Sequence, residues 1–171
     1  MIVQKILAII SLILLLIFQT SFINNLHYPW SLIPLFSAVC VVSIQQRGAW
    51  NMAFALIGYG LFLDLFSLGI GYGETLAYAG MAIVCVFSAR SIFTNRSLYG
   101  VMACAGLSNS TLLLIESILH PSLFSFFQES FLRVLFLILT SAIVFRITLF
   151  VSGLIGQTIK NQRKSQFVAH I

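Results

Sequence analysis

Charged side chains are scarce in this sequence. Only four residues are acidic and nine are basic, so charged residues make up 8% of the 171 positions while hydrophobic residues make up 60%. Together with a mean hydropathy of +1.04, this balance excludes an ordinary soluble domain. The long apolar runs predict an all-α, polytopic bundle of helices that is embedded in the lipid bilayer and contacts its lipids.

Cysteine is also rare. Cys40, Cys85 and Cys104 lie inside apolar runs, without C-x-x-C spacing or nearby histidines, so they are interpreted as buried thiols rather than as disulfide or zinc ligands. The sequence contains no H-E-x-x-H motif, nucleophile elbow or recognisable catalytic triad. We therefore expect a protein that is not an enzyme and that uses neither a cofactor nor a metal.

Apolar runs of membrane-spanning length recur along the chain. The first run lacks small residues at cleavage spacing, so it is interpreted as a retained helix and not as a signal peptide. The second run, with Pro34 in its first turns, is short, and a re-entrant segment remains an alternative. Residues 1–160 are expected to form one bundle and residues 161–171 a basic cytoplasmic tail. The predicted helices cover residues 6–23, 28–44, 52–68, 75–89, 98–119 and 131–156.

Basic residues mark alternate connections between these runs. The connecting segments "NNLHYPWS", "GIGYG" and "HPSLFSFFQES" contain no Lys or Arg. Because cytoplasmic loops carry an excess of Lys and Arg, six membrane crossings with both termini in the cytoplasm are predicted. The net charge of +5 is explained by this topology, so no nucleic-acid partner is expected. The basic residues of the other segments are Lys5, Arg47, Arg90, Arg96, Lys160, Arg163 and Lys164.

Asp64 is the acidic residue that lies deepest in an apolar run. An unpaired carboxylate inside a bilayer costs at least a few kcal/mol, so Asp64 either faces the bundle interior with a partner or lies at a helix end among the headgroups. Arg146, at a similar estimated depth in the last helix, is the candidate partner. Its guanidinium could instead reach the cytoplasmic interface.

Two further charges flank the connection between the last two helices. Glu116 lies near the end of the fifth predicted helix and Arg133 near the start of the sixth. Because the two helices of an antiparallel hairpin bring such positions to the same level, a contact between Glu116 and Arg133 is predicted.

Glycines surround Asp64 on both sides. Gly58 and Gly60 precede it and are expected to allow a close approach between helices. Gly69, Gly71 and Gly73 follow at alternate positions. They form a weak match to a phosphate-binding loop and are interpreted as a tight turn between two helices.

"LSNST", residues 107–111, is a polar patch inside the fifth run. Its amide, Asn109, needs a hydrogen-bonding partner across helices if it is buried. A role in lining a substrate site is the alternative.

These features combine into a recognisable pattern. A proline opens the second run, and a helix of the form G-x-G-x-x-x-D-L-F is followed by a glycine turn and another apolar run. With this pattern, and with "LLLIFQTSF" at residues 14–22, the chain resembles the MreD family of bacterial rod-shape proteins over about residues 1–160. The matching residues are Pro34, Gly58, Gly60, Asp64, Leu65, Gly71 and Gly73.

The resemblance implies a non-catalytic scaffold of the cell-elongation machinery, which builds peptidoglycan. The partners it implies are MreC-like and MreB-like proteins and RodA with its transpeptidase, and no small-molecule substrate is expected. MreD proteins are similar in fold to the substrate-binding subunits of energy-coupling-factor vitamin transporters, so that function is the alternative. Glu74 and Arg146 depart from the common MreD pattern and could mark such a ligand-binding relative.

Overall fold

The chain folds into six helices, which we describe from a computed structural model covering residues 2–48, 50–66, 73–94, 97–119 and 126–168. Two short 3-10 turns separate the first two helices, and one turn of π-helix, Ser88–Ile92, extends the fourth. All regular elements in these ranges are helical. The helices are α1 (Ile2–Ser21), α2 (Leu35–Arg47), α3 (Trp50–Phe66), α4 (Gly73–Phe87), α5 (Leu98–Leu119) and α6 (Phe126–Val168).

Among the described residues, three helical segments are long and apolar enough to cross a membrane: Gly73–Ile92, Leu98–Leu119 and Phe131–Ser152. Three shorter segments are apolar as well, Ile9–Asn25, Trp30–Gln46 and Trp50–Phe66. Many large apolar side chains on α1, α3 and α6 are exposed, which suits contact with lipid rather than water. The prediction of an all-α helical membrane bundle is thus confirmed.

The short helix α2 forms the centre of the bundle and contacts all five other helices. Phe36, Val41 and Ile44 are almost completely buried there. The three cysteines are buried as predicted, and the Sγ atoms of Cys85 and Cys104 lie 3.7 Å apart between α4 and α5. The C-terminal end of α2 is closed by Gly48, whose N–H donates to the Ile44 carbonyl at 2.8 Å, whereas the buried N-terminal end needs hydrogen-bond acceptors from a neighbouring helix.

The predicted helix limits differ most from the structure in the second and sixth helices, while those of the first, third and fourth are shifted by two to four residues. The second helix begins at Leu35, so that Pro34 precedes its first turn instead of lying within it. The sixth helix begins at Phe126 and continues to Val168, well past Gly156 and into the segment that was predicted as a separate tail. Its 43 residues span about 65 Å at 1.5 Å per residue, about twice the hydrocarbon thickness of a bilayer. The fifth helix has the predicted limits, residues 98 and 119.

Candidate functional site

Asp64 caps the first turn of α4 from the last turn of α3. Its Oδ1 accepts a hydrogen bond from the Glu74 backbone N–H at 3.0 Å. Its Oδ2 accepts from the Thr75 backbone N–H at 2.8 Å and from the Thr75 hydroxyl at 2.5 Å. The first N–H groups of a helix have no partner within the helix, and the helix dipole favours a negative charge beside them. The carboxylate therefore fastens α3 to α4.

This arrangement bears on the two alternatives for Asp64. Asp64 is only partly buried and lies two residues before the end of α3, as the helix-end alternative expects. Backbone N–H donors at the N-terminus of α4 stabilise its carboxylate. Arg146 is exposed on α6. The Asp64–Arg146 pair stays a prediction.

Gly60 lies one helical turn before Asp64, on the side of α3 that faces α4. A Cβ added at Gly60 would lie 2.7 Å from the Glu74 carbonyl oxygen and 2.9 Å from the Tyr78 Cβ, so the expected close approach is confirmed at this residue. A Cβ added at Gly58 would meet nothing within 4 Å, so the same expectation is wrong for Gly58. Gly73 is the first residue of α4, and Gly71 lies outside the described residues.

Gln19 plays a similar capping role at the start of α2. Its Oε1 accepts hydrogen bonds from the backbone N–H groups of Leu35 at 2.9 Å and Phe36 at 3.4 Å. Its Nε2 donates to the Ile33 carbonyl at 2.9 Å and to Asn24 Oδ1 at 3.0 Å. Pro34 provides no side-chain cap of its own, so α1 supplies one.

The role of Gln19 was missed from the sequence. The signal was present, because a glutamine inside the apolar run "LLLIFQTSF" requires buried hydrogen-bond partners. Its partners could not be identified, since three of them are backbone groups 14 to 17 residues further along the chain.

Glu116 and Arg133 form the predicted contact between α5 and α6. Glu116 Oε2 and Arg133 Nη1 are 3.7 Å apart, and the two side chains are 12% and 39% exposed. The pair therefore lies at the rim of the bundle, at the same end as Asp64. We call this the Asp64 end.

A cavity of about 360 Å³ opens at the Asp64 end, between the loop before α2 and helices α3 to α6. Its volume falls within the range of small-molecule sites. Its wall includes Gln19, which caps α2, and both members of the Glu116–Arg133 pair. The polar residues of its wall include Tyr59, Glu74, Tyr78, Asn109, Glu116 and Arg133.

Asn109 is the most informative residue of the wall. It is only 7% exposed, and its Nδ2 has no hydrogen-bond partner among the residues that the structure describes. The neighbouring Ser108 is buried too, but its hydroxyl donates to the Cys104 carbonyl at 2.7 Å. The predicted cross-helix partner for Asn109 is therefore not found in this part of the chain, and its amide faces a cavity.

Within the described ranges, no three His, Cys, Asp or Glu side chains are grouped as metal ligands. The site can cap helices, pair charges and offer hydrogen bonds. Comparisons of the chain with models of protein families, with curated proteins and with solved structures gave no match.

Proposed function

We propose that this protein is a non-catalytic scaffold subunit of the bacterial cell-elongation complex, of the MreD type. In this role it sits beside MreC-like and MreB-like proteins and beside RodA with its transpeptidase. The observation that carries the proposal is the joint between α3 and α4. Two residues of the MreD-like pattern, Gly60 and Asp64, contact the same first turn of α4.

The joint supports a scaffold because it holds two helices in one fixed arrangement. Gly60 lets the backbones approach, and Asp64 ties the end of α3 to Glu74 and Thr75. Large apolar side chains then point away from the bundle on both helices, among them Phe66 at 71% and Ile83 at 68% exposure. A fixed pair of helices with apolar outer faces suits lateral contact with another membrane helix.

The proposal includes a plasma-membrane location with six crossings and both termini in the cytoplasm. The Lys and Arg residues between and beyond the helices support this topology, since the segments at the Asp64 end contain none of them. The three long apolar segments support membrane insertion in general.

The test is complementation of a rod-shaped strain that is depleted of its own MreD. Asp64→Asn should insert normally and yet give rounded cells when it is the only copy. Asparagine has only one acceptor oxygen in its side chain. Its amide nitrogen is a donor and would face a second donor, a backbone N–H of α4 or the Thr75 hydroxyl, so at least one hydrogen bond that Asp64 accepts would be lost. The α3–α4 joint should loosen although the side chain keeps its size.

Asn51→Ala is the control on the same helix, because Asn51 is polar and exposed, lies at the other end of α3 from the joint and is outside the MreD-like pattern. It should preserve rods. Normal rods for Asp64→Asn at a normal membrane level, checked by immunoblot, would contradict the scaffold role of the joint. Neighbouring genes for MreB-like and MreC-like proteins would support it independently.

A substrate-binding subunit of an energy-coupling-factor vitamin transporter is the second candidate, and the cavity at the Asp64 end favours it. This function requires uptake that depends on a partner ATPase. A growth defect of the Asp64→Asn strain that is rescued by an added vitamin would support the transporter, and adjacent genes for ATPase subunits would do the same.

A further inference from the structure

A second cavity, of about 220 Å³, lies at the end of the bundle opposite to the Asp64 end. Its described wall joins the end of α2, at Ile44 and Gly48, to the turn that follows α4, at Arg90 and Thr94. Arg90 is the one charged side chain among these described wall residues. It is also exposed, so a molecule outside the bundle can reach its guanidinium.

The ring of Trp50 fixes the position of this guanidinium. Cζ of Arg90 lies 4.6 Å from the centroid of the Trp50 ring, which is a cation–π contact. Trp50 is exposed, as is usual for a tryptophan at a membrane–water interface. An aromatic face does not replace oxygen acceptors, so the N–H donors of the guanidinium still need them. Because α3 begins at Trp50, the positive end of its helix dipole lies at this end of the bundle as well.

The acidic residues of the chain lie at the other end. Asp64, Glu74 and Glu116 belong to the Asp64 end, and Glu129 lies near the start of α6, at that same end. Arg90 is sixteen residues, or about 24 Å, from Glu74 along the fourth helix. A carboxylate of this chain is therefore not the counter-ion of Arg90 in the described structure, and an anion must come from outside the chain.

The carbonyl oxygens that could repel such an anion already accept hydrogen bonds. The Ile44 carbonyl accepts from the Gly48 N–H, and the Ser88 carbonyl accepts from the Phe93 N–H at 2.7 Å. The Phe93 carbonyl accepts from the side-chain amide of Gln45. Because these oxygens are occupied, the repulsion that the C-terminal ends of two helices exert on an anion is reduced.

Exposed apolar side chains continue from Arg90 and Trp50 toward the middle of the bundle. On the fourth helix, Phe87 and Ile83 lie three and seven residues before Arg90, and both are exposed. On α3, Phe54 lies one turn after Trp50 and is exposed too. A cation at the membrane surface that is followed by an apolar surface is complementary to a phosphate with acyl chains attached.

We propose that an anionic phospholipid binds at this end of the bundle. Its phosphate accepts hydrogen bonds from the Arg90 guanidinium, which suits the geometry of phosphate oxygens, and its acyl chains lie along Phe54, Ile83 and Phe87. Basic pockets between membrane helices bind lipid headgroups in this way. A zwitterionic headgroup brings its own cation, which Arg90 repels, so a headgroup with net negative charge is preferred. The inference is independent of the scaffold proposal.

The test measures which lipid lies beside Trp50. The chain has two tryptophans, so Trp30→Phe leaves Trp50 as the single fluorophore of its kind. This full-length chain is purified and reconstituted in phosphatidylcholine membranes, and its fluorescence is quenched with brominated phosphatidylglycerol or with brominated phosphatidylcholine. The binding constant for phosphatidylglycerol should exceed that for phosphatidylcholine about fivefold, as expected for one basic side chain at a membrane surface.

Two further chains show whether the preference belongs to Arg90. Arg90→Gln should reduce the ratio of the two binding constants to about one, because glutamine remains polar and lacks the charge. Arg146→Gln is the matched control, since Arg146 is an exposed arginine of α6 that is absent from the described wall of this cavity, and it should leave the ratio unchanged.

The second tryptophan supplies a control for position. Trp50→Phe leaves Trp30, which lies at the Asp64 end beside the loop before α2, as the reporter. The ratio measured there should be about one. A similar preference beside Trp30 would show general attraction of the lipid to a basic protein and would overturn the local site.

Three other results would also overturn the proposal. Equal quenching by the two lipids beside Trp50 is the first, and it is measured with Arg90 intact, so it does not depend on the folding of a variant at that position. The second is weak quenching by both lipids, which would mean that a second copy of the chain covers Trp50. The third is reversal of the quenching by soluble glycerol phosphate, which would assign the site to a soluble phosphate. Cell shape is measured separately, so a failure of this inference leaves the scaffold proposal standing, and the reverse also holds.

Discussion

A methyl group added at Gly60 should separate α3 from α4, whereas the same group at Gly58 should not. The Gly60 Cβ would lie 2.7 Å from the carbonyl oxygen of Glu74 and 3.0 Å from the Cα of Thr75. Both atoms belong to backbone, so neither can move aside as the end of a side chain does. Ordinary contact begins at 3.4 Å, so the two helices must separate by about 0.7 Å.

That displacement also reaches the Asp64 cap, one helical turn away. Adding about 0.7 Å to the 2.8 Å bond between Asp64 Oδ2 and the Thr75 N–H gives about 3.5 Å, which is beyond a good hydrogen bond. Overpacking costs about 1–3 kcal/mol and a weakened helix cap about 0.5–2 kcal/mol. Gly60→Ala should therefore lower the free energy of unfolding by about 2–4 kcal/mol. Gly58→Ala, in open space, should raise it by up to about 1 kcal/mol through helix propensity.

The assay is equilibrium unfolding of the purified protein in mixed micelles, followed by tryptophan fluorescence. Comparing the two alanine variants within one helix cancels effects of composition and of micelle binding. Equal stability of Gly60→Ala and Gly58→Ala would refute the reasoning, since it would mean that α3 and α4 are not in close contact at Gly60.

Three further outcomes are expected. In a double-mutant cycle, Glu116→Ala and Arg133→Ala should show a coupling free energy of about 0.5–1 kcal/mol, as expected for a partly exposed pair. Ser117→Ala is the neutral comparison. A coupling free energy below about 0.3 kcal/mol would mean that the two residues are independent. Gln19→Leu should lower the free energy of unfolding by about 2–4 kcal/mol in the same assay, because it leaves buried backbone groups at the start of α2 without partners. Thr20→Val is the control and should lower it by less than about 1 kcal/mol, since Thr20 bonds only within its own helix. An alkaline phosphatase fused to the C-terminus should be inactive, and an active fusion would contradict six crossings with a cytoplasmic C-terminus.

The sequence by itself determined the helices and their general environment. In a lipid bilayer an apolar run must satisfy its backbone polar groups internally, and so it must be helical whatever its neighbours are. For this reason the limits of α5 could be predicted at residues 98 and 119. The Glu116–Arg133 contact was also predictable, since a helical hairpin brings the end of one helix beside the start of the next.

Only the tertiary structure decided which backbone groups the capping side chains meet and which glycine faces a neighbouring helix. Asp64 and Gln19 are held by backbone N–H groups of other helices, and every residue except proline has one, so no pattern of side chains identifies the partner. Gly58 and Gly60 look alike in the sequence, but the rotation of α3 about its axis turns only Gly60 toward α4. The cavity beside Asn109 likewise exists because the packing of several helices leaves a space that none of them encodes separately.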